Sequence, residues 1–399
     1  MEKILFVTDR NILTTSGELR LIKNRAEALY KESNICTDFI VFAKKERIKN
    51  KNEEINAGGS VDVYEVAFAN PRVSLISYSE VRKEIEKKLN SKEYRAVVLS
   101  GPFMVLFAKK IKKDFHIPVI EDIHGAFEDL VELSKTRSFP KGLVFRLSYH
   151  LEKNLIQKNK KYINGFFVVT DAMKEYMKKE FGISDDAYFF IIPCATNIAP
   201  SNIGEYLNDR MKYRKKYNID NDEKVFIYSG GVAPWQCVEK TIEIYKQLAD
   251  SLEEKSRLLM FSHLKEDIKK YIGDDRRIQI DSYPPEELMH VLHAGDFAFL
   301  IRENNITNNV AFPNKYLEYI QSGMKIITTP YVKEIAKQIY ENSMGYIYDF
   351  NSSIEELVNY VKNTDVNSYR EEEIRMILAK NSFSNTTQNF CEWFYRECI

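Results

Sequence analysis

DFAFLIRENNITNNVAFPNKYLEYIQSGMKIITT, residues 296–329, places two short apolar runs on either side of a helical pattern. A run such as DFAFLI, apolar on both faces and too short for a helix, fits a strand buried between two layers. The helix that follows carries the chain back across the sheet, so KIITT lies parallel to DFAFLI. The same alternation extends toward both ends of the chain. KILFVT, TDFIVFA, VDVYEVAF, AVVLS, IPVIED, GFFVVT and YFFIIP precede it in the first half, and KVFIYSG, SRLLMF, RIQID and GYIY flank it in the second. The fold class is therefore α/β with parallel sheets.

Length divides this pattern in two. At 399 residues the chain exceeds what one core of about 250–300 residues accommodates. PCATNIAPSNIGEYLNDR, residues 193–210, interrupts the alternation with prolines, Asn and Ser and is expected to be a linker. Residues 1–200 carry 33 Lys and Arg against 27 Asp and Glu, and residues 201–399 carry 25 against 31. Neither half has the concentrated basic stripe that nucleic acid demands. Five scattered cysteines without a Cys-x-x-Cys pair exclude a disulfide framework or a zinc site. No stretch reaches the ~18 apolar residues of a spanning helix, which predicts a soluble, cytoplasmic protein.

Open α/β sheets bind ligands beyond the carboxyl ends of their strands. Arg302 stands there, directly after DFAFLI; its planar fork suits a phosphate, and a surface ion pair with Glu303 is the plainer alternative. Pro313 and Gly323 predict a helix opened by the first and closed by the second. Lys315 then falls in its first turn, where a cation opposes the macrodipole unless an anion binds, and Glu318 lies one turn deeper. An ordinary Lys315–Glu318 surface pair is the alternative. In the first half, VIEDIHGAFEDL sets Glu121, Asp122 and His124 at a strand end, with Glu128 further on.

The 300–329 stretch resembles the donor-site signature of retaining GT-B glycosyltransferases, in particular glycosyltransferase family 4, in which two glutamates are separated by seven residues. The second acid matches Glu318, followed by YIQSGMKII. The resemblance implies two Rossmann-like, doubly wound domains facing a cleft. Residues 1–200 would bind the acceptor, residues 201–380 a nucleotide-sugar donor, and a helix at 381–399, with its aromatic stripe of Phe383, Phe390, Trp393 and Phe394, would cross back toward the first domain. It implies that Glu318 holds the ribose hydroxyls, that His124 contacts the transferred sugar, and that Gly17 in TTSGELR belongs to an N-terminal glycine loop. Where the family has its first acid this chain has Val310, and Asn308 and Asn309 are the neutral substitutes. Where members carry an arginine and a lysine on the diphosphate, YSGGVAPWQ has Gly231 and Gln236; Gly230 and Gly231 still permit close backbone approach. Arg302 and Lys315 are expected to take over the neutralisation, as in polysaccharide-building members with Pro-x-Lys ahead of the Glu-Tyr. Trp235 either stacks on the base or packs in the core.

No cofactor and no metal are expected: the Asp220–Asp222 pair lies in a polar turn, and His290 and His293 lack a third ligand nearby. KKIKKD and QKNKKY are solvated helix faces or, with a lipid-linked acceptor, aids to peripheral membrane association. The Lys-, Asn- and Ile-rich composition fits a bacterium of low genomic GC content, and the expected activity is sugar transfer to a glycan or lipid-linked acceptor in surface polysaccharide assembly. A nucleotide-sugar epimerase and a non-catalytic scaffold subunit are the rival readings.

Overall fold

The computed structural model describes residues 1–9, 17–43, 55–65, 78–91, 93–101, 103–195, 201–253, 255–366 and 368–399. They form two compact units, Met1–Asn197 with Asn381–Ile399, and Ile198–Lys380. The first contains strands β1 (Glu2–Thr8), β2 (Ile35–Ala43), β3 (Val61–Glu65), β4 (Tyr94–Ser100), β5 (Val119–Asp122), β6 (Gly165–Val168) and β7 (Tyr188–Ile191). The second contains β8 (Lys224–Ser229), β9 (Ser256–Phe261), β10 (Ile278–Asp281), β11 (Phe297–Leu300), β12 (Lys325–Thr328) and β13 (Gly345–Ile347). All pairings are parallel, in the orders β3-β2-β1-β4-β5-β6-β7 and β10-β9-β8-β11-β12-β13. Each sheet thus runs one way from its first strand and then the other, which is the doubly wound pattern.

Burial explains why these runs become strands. Phe297, Ala298, Phe299 and Leu300 are all buried, because β11 lies between β8 and β12 with helices above and below. Phe226 stacks on Phe297 and Phe299 across the β8–β11 pair, with centroids 5.1 and 5.5 Å apart. Such paired aromatic burial is worth about 0.5–1.5 kcal/mol beyond area alone.

Two local expectations change. Ile203–Lys216 is a helix, so the expected linker ends earlier: Asn202 Oδ1 accepts from Glu205 N–H at 3.0 Å and Glu205 Oε2 accepts from Asn202 N–H at 3.2 Å, a reciprocal capping box. Residues 196–200 within that stretch lie outside the described residues. Gly17 is the first residue of the helix Gly17–Ser33, whereas the preceding part of the expected glycine loop lies outside the described residues.

Helix Gln388–Glu397 belongs to the first unit. Its Phe390 ring meets Phe167 of β6 at 4.9 Å and Phe190 of β7 at 5.3 Å, and Trp393 adds a second contact to Phe190 at 5.3 Å. The aromatic stripe is therefore core, not surface.

Candidate functional site

In the second sheet the winding reverses between β8 and β11, and the loops leaving those two strands converge. After β8 come Gly230 and Gly231; after β11 come Ile301 and Arg302. Arg302 is almost fully buried, 4% exposed, which rules out the surface ion pair with Glu303; Glu303 faces Lys240 instead, at 3.4 Å. Arg302 Nη1 donates to the carbonyls of Gln236 at 3.1 Å and Ile301 at 2.9 Å. Its other guanidinium donors have no hydrogen-bond partner among the described residues, which leaves most of the fork for something else.

Lys315 reaches the same residue from the opposite side. Its Nζ donates to Gln236 Oε1 at 2.7 Å and lies 3.5 Å from the Tyr228 hydroxyl and 4.5 Å from that ring's centroid. Tyr228 Oη in turn donates to Gly231 O, 2.6 Å, or to Gln236 Oε1, 2.7 Å. Lys315 thus makes no ion pair among the described residues; its partners are neutral. Burial, and then the charge of Arg302, hold its ammonium well below the usual lysine range, with Glu318 offsetting only part. Two basic groups with only Glu318 partly offsetting them form an electrostatically incomplete site, and an anionic ligand would complete it.

Gly230 makes room for this arrangement. Its φ is +128°, a conformation side chains rarely adopt, and a Cβ there would lie 2.1 Å from Lys315 Nζ and 2.2 Å from Cε. Gly230→Ala is expected to expel the ammonium from its place beside Gln236. It should also cost about 1–3 kcal/mol in backbone strain, to be read as a fall in the unfolding midpoint together with weakened nucleotide binding in calorimetry.

The helix is Lys315–Gln321, with Asn314 at its cap, so Pro313 stands just before the helix rather than at its first position. It closes as expected, with Gly323 at φ +77° and its N–H on Ile320 O. Glu318 follows Lys315 by one turn. Tyr319, on the inner face, fixes the helix to β8 by accepting from Ser229 N–H at 2.9 Å. Asn308 and Asn309 are in a short helix, Ile306–Asn309, not an open turn. Asn308 Nδ2 donates to Glu303 O at 3.0 Å, while Asn309 Oδ1 is buried without a hydrogen-bond partner among the described residues. Val310, in the place of the family's first acid, is buried.

In the first unit, β5 ends in Asp122, buried against Arg25 by a two-point ion pair at 2.9 and 2.8 Å. His124 Nε2 lies 2.7 Å from Asp122 Oδ2; since a carboxylate only accepts, the proton is on Nε2 and the ring is held in one orientation. Arg25, from the middle of helix Gly17–Ser33 and 4.4 Å above the Phe167 ring, had no local signal in the sequence. Glu128 accepts from Tyr149 at 3.0 Å and from Tyr176 at 2.5 Å, so it anchors helices and does not stand open to an acceptor.

A hollow of about 460 Å³ lies beside the Gly231–Gln236 loop, lined among others by Val232, Pro234, Lys240, Tyr271 and Glu303. Arg302 and Lys315 are not on its wall, and its acids Glu239, Glu243, Asp267 and Glu303 outnumber Lys240 and Lys270, so it does not suit a diphosphate. Trp235 is part-exposed in the turn Pro234–Gln236 and is not a core residue. His290 and His293 both bond Asp209 Oδ2, at 2.7 and 3.1 Å, and the Asp220 carboxylate pairs with Lys255. Among the described residues no cluster of three or more His, Cys, Asp or Glu side chains is arranged for a metal.

Residues 209–379, nearly all of the second unit, match the family model described as Glycosyl transferases group 1. The second unit is a group 1 glycosyltransferase domain. The whole chain has the two-sheet architecture of GT-B enzymes, and with this domain it is a nucleotide-sugar-dependent glycosyltransferase. Solved structures share that fold along the full length. A glycosyltransferase from Rickettsia africae has a TM-score of 0.69 at 12% identity, covering 99% of both chains. Anabaena Alr3699/HepE, solved with UDP and glucose, has 0.67 at 12%, covering 99% of this chain and all of that one. WaaG, a glycosyltransferase involved in lipopolysaccharide biosynthesis, has 0.59 at 15%, covering 99% of this chain and 98% of that one. At these identities the likeness is one of fold. No curated protein matches this chain by sequence.

Proposed function

We propose that this glycosyltransferase moves a sugar from a nucleoside diphosphate donor to a hydroxyl of a glycan or lipid-linked acceptor, with retention at the anomeric carbon. The observation that carries this is the partly buried Lys315, whose hydrogen-bond partners are neutral and whose ammonium shares the site with Arg302 against only the partial offset of Glu318. The diphosphate lies against Lys315, Arg302 and the Gly230–Gly231 backbone, and Glu318 accepts from the ribose hydroxyls. The bond from the anomeric carbon to the diphosphate breaks, and the growing charge on the leaving oxygen is stabilised where the two cations already stand. The acceptor oxygen attacks from the same face and passes its proton to a phosphate oxygen. Asn309, whose amide oxygen has no partner among the described residues, serves the sugar hydroxyls in place of a carboxylate, while the buried Asn308 holds the loop through Glu303 O. The first unit takes the acceptor, with His124 directed to the transferred sugar; no metal or cofactor takes part.

The UDP and glucose held by Anabaena Alr3699/HepE, and the lipopolysaccharide role of WaaG, support a donor of this class and a part in bacterial surface glycans. Calorimetry with UDP and GDP sugars tests the reading, with CMP sugars, which carry a single phosphate, as the contrast. One of the two diphosphate series should bind and show slow donor hydrolysis, insensitive to EDTA, and the released sugar should keep its anomeric configuration by NMR. Binding to none of them would leave the scaffold reading in possession. Release of nucleotide with inversion at a ring carbon other than the anomeric one would favour the epimerase.

A further inference from the structure

Helix Lys141–Asn159 buries one side along its length, through Gly142, Ser148, Glu152, Leu155 and Ile156. On the opposite side Leu143, Val144 and Leu147 face solvent, and Phe139 at the turn just before the helix is the most exposed Phe, Leu, Ile or Val of the described residues, at 83%. A globular domain does not ordinarily leave four large apolar side chains together in water unless something covers them.

The charge around the patch says what kind of surface that is. Between Glu132 and Glu152 the chain has no acidic residue, while Lys135, Arg137, Lys141 and Arg146 are all exposed. None of these four makes an ion pair among the described residues; Arg146 only donates to Ser134 Oγ at 3.3 Å. The stretches KKIKKD and QKNKKY are different. Lys110 is paired with Asp114 at 2.6 Å and Glu86 at 3.2 Å, and Lys160 is turned onto the carbonyls of Phe181 and Gly182. Those two ammonium groups are engaged within the protein, and neither stretch carries exposed large apolar side chains beside its bases. A second copy of the chain seated face to face on the patch would bring the same four cations together, so like-charge repulsion opposes it.

We propose that residues 135–147 are a docking surface for an anionic lipid bilayer, in which Phe139, Leu143, Val144 and Leu147 enter the headgroup boundary and the four bases meet lipid phosphates. The helix lies on the membrane and does not cross it; no helix of the described residues is long and apolar enough for that. Apolar insertion alone is weak, and a basic rim supplies the second attraction that makes the association stable. The proposal is independent of the donor site, since it uses none of its residues.

Cosedimentation of the full chain with vesicles tests it. The protein should partition onto phosphatidylcholine vesicles containing phosphatidylglycerol, lose that binding in high salt, and ignore pure phosphatidylcholine. Arg137→Gln with Lys141→Gln should lower partitioning about five-fold for each charge removed, and Phe139→Ser with Leu147→Ser by more than ten-fold. UDP-sugar binding should be unchanged in both, which separates failure here from failure of the donor assignment. These side chains are exposed, so the variants keep their fold; Phe139→Trp provides a second readout, a blue shift of its fluorescence on anionic vesicles. Equal binding to neutral and anionic vesicles, no binding at all, or a wild-type dimer that Phe139→Ser with Leu147→Ser dissociates would each overturn the proposal.

Discussion

Lys315→Met will cost the protein its diphosphate affinity and, at the same time, stabilise the ligand-free fold. The first effect follows from losing a charged hydrogen bond to phosphate, about 1.5–3 kcal/mol, seen by calorimetry as weaker binding of the donor's nucleoside diphosphate with binding of its nucleoside little changed. The second follows from the lowered ammonium pKa, because a group that gives up its proton more readily when folded is charged at a penalty. The unfolded chain then binds more protons, so wild-type stability rises with pH from the lowered folded value up to the ordinary lysine value. Below that interval the penalty is complete. The thioether side chain has no proton to bind, so the variant's unfolding midpoint should be higher at neutral pH and lose this slope. Diphosphate binding has the opposite pH trend: it needs the protonated ammonium, so affinity declines, by up to about ten-fold per pH unit, once pH exceeds the lowered value. A reciprocal exchange, Gln236→Lys with Lys315→Gln, returns one cation to the same place and should recover part of the lost affinity. Equal losses for the nucleoside diphosphate and the nucleoside would remove the phosphate role from Lys315.

Arg25→Met will destabilise the protein by about 3–5 kcal/mol, because it leaves the Asp122 carboxylate buried without its partner. Burial alone pushes the Asp122 carboxyl up, but the Arg25 guanidinium and His124 outweigh it and hold the carboxyl well below the usual range. A depressed folded value contributes stability that is present above the ordinary 3.8 and lost as pH falls beneath it. The wild type should therefore show an acid-labile component that Arg25→Met lacks. Removing both charges, Arg25→Met with Asp122→Leu, should restore much of the loss in a urea titration, since apolar replacement of a buried pair is often neutral. Turnover should stay low in that double variant, because the Asp122 carboxylate no longer orients the His124 ring. Recovery of full turnover along with stability would confine the pair to a structural role.

How much was legible from the sequence depended on the range over which each signal acts. All thirteen apolar runs are strands, since a strand buried on both faces needs no partner to be recognised. The helix end at Gly323 is readable for the same local reason, whereas the capping box at Asn202–Glu205 is missed, because the prolines beside it point to a linker. Gln236 was visible only as a departure from a family pattern. Its use as the common acceptor of Arg302 and Lys315 depends on three loops meeting, at separations of 66 and 79 residues. Arg25 lies 97 residues from Asp122 in the middle of an ordinary helix, where spacing says nothing about a buried charge. Leu143, Val144 and Leu147 give no sequence signal of their exposure, because their spacing is also that of a core face.

The return of helix Gln388–Glu397 to the first unit bears on how the chain is born. Phe390 and Trp393 fill the space against Phe167 and Phe190, so the half that leaves the ribosome first lacks part of its interior until the last residues emerge. The half that begins at Ile198 has all its material by Lys380 and can settle earlier. Synthesis and maturation thus run in opposite orders, and the nascent first half spends that interval with aromatic surface open to chaperones.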